Sequence, residues 1–434
     1  MLNRLRASAS SAWAALWNPD SHRSIAAFPK SFWRFLFAEN LYDFGLYVFV
    51  LLYNLYLLDL GYREDFLGAV TSAMTFGSLA GALPAAAVVR RFGLKRTLIG
   101  GSAGVAFMCG LRTLPLGHQW FIATAFLAGI ISSIWAVSLV PVVAALTSQR
   151  IRAAGYSLWT GWGIGLGVIC GALAGSLPGW ILALGLATSN KQAKQMALLF
   201  GAVVALLSPL LLVRLPLPHT HDGARKIFPR SPFVTRYLFA FAIWNFALGA
   251  FNPFFTAYFS RHLHMPDNQI GFVFSASQFA ELCALLAAPV LLRRFGMVVG
   301  ISMMQAGVAL ALALLATGPQ ASLAGILYAA YGSLQYMSEP GTFTLLMSRV
   351  SPNDRAGVSA MMFFVMSGSQ AVAAALAGIS IIRIGYPLVL ASSSAVAALS
   401  AYLFRHLLSA HDLADSGDPA ASPEHHWQTP ASES

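Results

Sequence analysis

Long apolar runs follow one another along the chain, separated by short polar turns. A helix that crosses a bilayer needs about 20 predominantly apolar residues. By that measure the pattern predicts twelve helices: 35–59, 66–89, 95–116, 119–147, 154–177, 193–213, 234–259, 267–292, 297–317, 321–348, 356–382 and 386–408. The run Trp180–Ala187 is too short to cross and is expected to rest in the interface after the fifth helix. Residues 2–17 place Leu2, Leu5, Trp13, Leu16 and Trp17 among Arg and Ser, which suggests a short helix lying on the membrane surface. The most polar, Pro-rich interruption is 214–233, RLPLPHTHDGARKIFPRSPF, and it falls between the sixth and seventh helices. The last residues, with Asp412, Asp415, Asp418 and Pro419, have the composition of a disordered tail.

A repeat is written over this pattern. Arg90-Arg91-Phe92-Gly93 returns 203 positions later as Arg293-Arg294-Phe295-Gly296. The same offset carries Gly68 onto Gly271, Arg152 onto Arg355, and the segment 172–175 onto 375–378. A long membrane chain made of two similar halves is the mark of a transporter with internal repeats. The expected organisation is an N-terminal cytoplasmic segment 1–33, a six-helix half 34–213, a central cytoplasmic loop 214–233, a second six-helix half 234–409 and a tail 410–434. The fold class expected is an all-α membrane protein, with twelve transmembrane helices in two pseudo-symmetric halves.

Composition agrees. Hydrophobic residues make up 57% of the chain and charged ones 10%, whereas a soluble domain carries roughly 25% charged residues. The net charge of +11 therefore points to basic loops rather than to a nucleic-acid partner. If the N-terminus is cytoplasmic, 21 of the 27 Lys and Arg fall on inner segments. The other six are Arg63, Arg112, Lys191, Lys194, Arg261 and Arg383. This bias predicts both termini in the cytoplasm and a multi-pass protein of the bacterial inner membrane. Cys109, Cys170 and Cys283 sit in apolar runs without ligand spacing, and His219/His221 and His262/His264 lack further donors, so no metal and no cofactor is expected. No hydrolase or nucleotide-binding motif occurs, so the chain is not expected to be an enzyme.

Twelve spans, a polar central loop and a basic-Gly turn between the second and third helices of each half resemble the major facilitator superfamily, over about residues 33–409. In that family the turn carries a motif of the form G-x-L-a-D-r-x-G-r-r. Here Gly81-Ala82-Leu83-Pro84 to Arg90-Arg91-Phe92-Gly93-Leu94-Lys95-Arg96 matches its glycine and basic end, with Arg90 in place of the usual Asp. Helix 5 bears Gly163, Gly167, Gly171 and Gly175 on one face, similar to the glycine-rich helix 5 of drug–proton antiporters, and tilts the expectation toward export. The resemblance implies alternating access around a cavity lined by helices 1, 4, 7 and 10. It also implies that the paired turns (Arg90, Arg91, Gly93; Arg293, Arg294, Gly296) act in cytoplasmic gating.

Those four helices do carry polar stripes. Helix 1 has Glu39, Asp43, Tyr47 and Asn54; helix 4 has Ser132, Trp135 and Ser138. Helix 7 has Asn245 and Asn252, and helix 10 has Tyr328, Tyr331, Gln335 and Glu339. An intramembrane carboxylate costs about 2.5–3.5 kcal/mol on insertion scales and persists where it has a role. Glu339, Asp43 and Glu281 are the candidates for proton coupling, with Glu339 foremost because Pro340-Gly341 follows it. Glu39 lies shallower and is expected to reach water or to pair with Arg34 or a neighbouring loop arginine. No Lys or Arg is expected deep in a span, Arg112 and Arg383 reaching water from helix ends, which favours a neutral or cationic solute. The expected function is secondary-active transport of a small organic solute, coupled to protons. The alternatives are an uncoupled facilitator, or a membrane protein that binds a ligand or lipid without moving it.

Overall fold

The computed structural model describes residues 28–148, 151–217, 231–350 and 354–409. Among them there are helices and no strands. We number the long helices α1 (Lys30–Asp59), α2 (Glu64–Phe92), α3 (Leu94–Leu111), α4 (His118–Leu146), α5 (Arg152–Ala183) and α6 (Asn190–Leu212). The second set is α7 (Pro232–Gly249), α8 (Asp267–Phe295), α9 (Met297–Ala316) and α10 (Ala321–Ser348). The last run, Arg355–Leu408, is broken at Gly385 (φ 80°) into α11 (355–384) and α12 (386–408). Eight stretches are long and apolar enough to cross a membrane by length and composition, with α11 and α12 counted as one; α2, α3 and α10 fall short of that measure.

The outside of the bundle is oily and the inside is partly polar. Phe37, Leu210, Ile326 and Leu388 stand exposed, while Asn245, Gln305 and Ser400 are buried. A water-soluble monomer does not display so large an apolar surface, and lipid accounts for it. One buried polar group joins three helices: Ser400 Oγ lies 3.3 Å from Gln305 Oε1 and donates to Ala240 O, which ties α12 to α9 and α7.

Each half packs by the same scheme. In the first, α1 lies on α6 and α5, α2 on α4, and α3 on α4 and α6; in the second, α7 lies on α12 and α11, α8 on α10, and α9 on α10 and α12. The repeated turns share one backbone. Gly93 ends α2 at φ 81° and Gly296 ends α8 at φ 82°, a conformation that residues with a Cβ rarely adopt. The next helix starts at once, so four arginines are held on the face where α1 begins and α12 ends. We call this the basic face, and the other the far face.

Three expectations about elements are corrected. The seventh span is not one helix: α7 stops at Gly249, a 3₁₀ turn covers Asn252–Phe254, and a π-helical turn covers Tyr258–His262. Pro253 causes the break, since it lacks an N–H and disfavours α geometry in the residue before it. The run Trp180–Ala187 is not separate, because α5 continues through Ala183 before turning. Helix 3 ends at Leu111, short of the expected 116. The expected surface helix 2–17, most of the 214–233 loop (218–230) and the tail 410–434 lie outside the described residues.

Candidate functional site

The two halves meet along two helix crossings, α2 with α11 and α5 with α8. Both are made of glycine. A methyl group built on Gly271 would lie 2.9 Å from Gly175 Cα, and one built on Gly378 would lie 3.1 Å from Gly68 Cα. Small residues let helix backbones approach this closely. Further along α5, Gly167 makes room for Tyr47 of α1 and Gln278 of α8.

At that point a polar network crosses the seam. Tyr47 Oη donates to Gly163 O (3.1 Å) and lies 3.4 Å from Gln278 Oε1. Gln278 Nε2 donates to Glu281 Oε2 (2.5 Å), and Ser277 Oγ donates to Glu281 Oε1 (2.7 Å). Glu281 is buried, and its carboxylate fills the space that Gly332 of α10 leaves open. Glu339 lies two turns further along α10 than Gly332. Asp43, one turn before Tyr47, presents its carboxylate to Gly163. The break in the seventh span supplies the second connection: Asn54 Nδ2 donates to Pro253 O (2.6 Å), which joins α1 to the second half. Asn252 then accepts from Tyr331 Oη at Oδ1 (2.6 Å) and lies 3.4 Å from Gln335 Oε1 through Nδ2.

Nearer the far face the halves are also held by charge. Lys194 Nζ lies 2.9 Å from Asp59 Oδ2 and 3.1 Å from Asp267 Oδ2, and its side chain is 6% exposed. Asp59 ends α1 and Asp267 begins α8, so one lysine clasps both halves. Arg261 Nη2 donates to Leu58 O (3.3 Å), Tyr386 Oη lies 3.2 Å from Glu64 Oε1, and Ser72 Oγ donates to Ala371 O (2.7 Å).

Other candidates face their own half. Ser132 lies 3.5 Å from Ser78 of α2 and donates to Gly129 O, and Ser138 donates to Trp135 O. Trp135 packs on Tyr42 at 4.3 Å between ring centroids. Asn245 donates to Phe241 O and accepts from Gln370 Nε2 (2.9 Å). Tyr328 stacks on Phe255 at 5.1 Å. On the basic face Arg91 lies over Phe92 and Arg294 over Phe295, while Arg293 Nε donates to Pro289 O. Among the described residues no cluster of His, Cys, Asp and Glu could hold a metal ion.

Two expectations about charge are overturned. Glu39 does not reach water and is not paired with Arg34: it is 1% exposed, and its Oε1 has no hydrogen-bond partner. Arg112 is not solvated. It is 3% exposed, with its guanidinium 4.2 Å from the Tyr53 ring centroid and 4.8 Å from that of Phe49. On α1, Phe49 lies on the side turned away from Asp43, Tyr47 and Asn54, and Tyr53 lies on the flank between the two sides. Gln278, Ser277 and Gln370 went unread because single polar residues in apolar runs look like packing. Lys194 and Asp267 went unread because charges at helix ends look like loop charges.

Known proteins place the chain. A profile for the Major Facilitator Superfamily matches residues 35–374. The chain belongs to this family. Among solved structures it is similar to the nucleoside transporter NupG, with 14% identity, 88% of this chain and 99% of that chain covered, and a TM-score of 0.69. It is also similar to a bacterial homologue of the human lysosomal transporter Spinster, inward-facing and occupied, with 13% identity, 90% and 98% coverage, and a TM-score of 0.68. A bacterial homologue of the iron transporter ferroportin, inward-facing, shares 14% identity over 86% and 98% of the two chains, with a TM-score of 0.64. No curated protein matches the sequence. A member of this superfamily is a membrane transporter, which is not normally an enzyme, and its partners are the bilayer and a small-molecule substrate.

Proposed function

We propose that the protein is a proton-coupled secondary transporter of a small organic solute, neutral or cationic, with export favoured over import. The observation that carries the reading is the acid-bearing network Tyr47–Gln278–Glu281, which crosses the seam along which two halves must part. In this reading Glu339 of α10 carries the proton, with Glu281 and Asp43 as partners. An ionised Glu281 accepts from Gln278 and Ser277 and holds Gln278 toward Tyr47; a protonated carboxyl group holds that arrangement less strongly. Proton occupancy therefore biases whether the seam stays closed, which is what coupling requires.

Arg112 changes the substrate argument without reversing it. Among the described residues the buried cations are Arg112, engaged by the rings of Phe49 and Tyr53, and Lys194, matched by two carboxylates. The polar face itself offers acids, amides and phenols, which suit a neutral or cationic solute. The basic turns at Arg90, Arg91, Arg293 and Arg294 are read as cytoplasmic elements that meet when that face closes, with both termini on the same side.

The test is transport in proteoliposomes. Ligands found by thermal-shift screening are loaded inside, and counterflow of the labelled compound is measured with and without an imposed pH gradient. Counterflow together with gradient-driven accumulation supports the proposal. Counterflow without accumulation indicates an uncoupled facilitator, and binding without counterflow a protein that holds its ligand but does not move it.

A further inference from the structure

On the basic face, α8, the start of α9 and the end of α10 line an open pocket of about 750 Å³, within the roughly 300–1,000 Å³ usual for small-ligand sites. Its walls are of two kinds. Leu292, Phe295, Val299 and Leu345 form an apolar trough, and Arg293 and Arg349 stand at the same pocket. Phe295 is 38% exposed, so the trough is not closed over.

The repeat explains why a space persists here. In the first half α2 and α4 touch backbone to backbone, with Gly77 against Phe126, Gly81 against Ile130, and Gly129 against Met74 and Ser78. The positions 203 later than Gly77 and Gly81 are Ala280 and Ala284. α8 and α10 therefore lack the two glycines that seat α2 against α4. At the basic end Gly341 of α10 is approached by the Leu292 side chain instead of by backbone.

We infer that this pocket binds an anionic phospholipid, its phosphate against Arg293 and Arg349 and an acyl chain along Leu292, Phe295, Val299 and Leu345. The pocket and such a lipid are complementary in charge and polarity. Two arginines beside an apolar trough, at a helix end in a chain otherwise coated with exposed apolar side chains, match a molecule that is anionic at one end and alkyl at the other. Basic pockets between spanning helices recognise lipid headgroups by this chemistry, and guanidinium groups suit phosphate oxygens through paired donors. The pocket also abuts Pro340-Gly341, next to Glu339. A lipid seated there bears on the segment of α10 that carries the proposed proton site.

The experiment uses the purified full chain in detergent. Thermal midpoints are measured with added phosphatidylglycerol, with phosphatidylcholine of the same chains, and with inorganic phosphate. Phosphatidylglycerol should raise the midpoint, and the other two should not. The variant carrying Arg293→Gln and Arg349→Gln should lose at least about tenfold in apparent phosphatidylglycerol affinity. Val299→Trp, which fills the trough and keeps both arginines, should lose the bound lipid in native mass spectrometry, and it decides the matter if the arginine variant does not fold. An equal effect of phosphatidylcholine, an equal effect of phosphate alone, or full retention of phosphatidylglycerol by Val299→Trp would overturn the inference. None of these readouts depends on transport.

Discussion

Gly175 and Gly271 face each other where α5 crosses α8, and 203 positions relate them to Gly378 and Gly68, which face each other where α11 crosses α2. The internal repeat is thus a contact as well as a sequence pattern: both seams between the halves are built from one pair of glycines used twice. Methyl groups have no room at either crossing. Gly271→Ala and Gly68→Ala should each lower stability by roughly 1–3 kcal/mol, as overpacking does. Gly165→Ala, on the same α5 but facing open space, should change little. Thermal melts of the three variants in detergent check this, and equal behaviour of all three would count against the crossings.

The Lys194 clasp should bias the far face toward closure. Ser275 is buried against Gly171 inside the seam. In a Ser275→Cys background, Lys194→Gln should raise the rate of thiol labelling by roughly threefold to tenfold. The figure is kept small because Asp59 and Asp267 are 28% and 21% exposed, and partly solvated pairs are weak. Unchanged labelling would make the clasp a surface ion pair with no hold on the seam.

Glu339→Gln should abolish pH-gradient-driven accumulation while leaving ligand binding and counterflow. Glu281→Gln removes an acceptor from Gln278 and Ser277 and should loosen the seam as well, giving faster Ser275→Cys labelling in the same assay. If Glu339→Gln still concentrates solute with an unaltered pH profile, Glu339 does not carry the proton.

Arg112 is stacked rather than paired, so its contribution should come from filling space between rings. Arg112→Met should stay within about 1 kcal/mol of the parent, and Arg112→Ala should lose roughly 2–4 kcal/mol through the cavity it leaves. Comparable losses in both would show that the charge itself is needed. Chemical-denaturation midpoints in one detergent distinguish the two outcomes.

Much of this architecture was legible because membrane spans are long and their pattern is coarse. Twenty apolar residues announce a span whatever it packs against, and RRFG marked the repeat because arginine is rare in such a chain. Pro253 could have been read as the break in the seventh span, since proline disrupts helix hydrogen bonding whether or not a neighbour is present. The network was harder. That Gln278 would face Tyr47 depends on the rotation of α8 against α5, set by Gly167, Gly171 and Gly175, and no spacing rule gives that rotation. Arg112 was misread for a related reason. A basic residue at a helix end snorkels toward water unless something better is near, and Phe49 and Tyr53 become near only after α1 and α3 pack.

In the proposed cycle the two halves rock against each other so that one face opens as the other closes. Double electron–electron resonance on two spin-label pairs measures it without knowledge of the substrate: Lys191 with Arg383 across the far face, and Arg96 with Arg405 across the basic face. Each pair should show two distances whose populations move oppositely. Lys194→Gln, or a change of pH, should lengthen the first pair and shorten the second. A single fixed distance in both pairs under all these conditions, or two distances that lengthen together, would contradict the account.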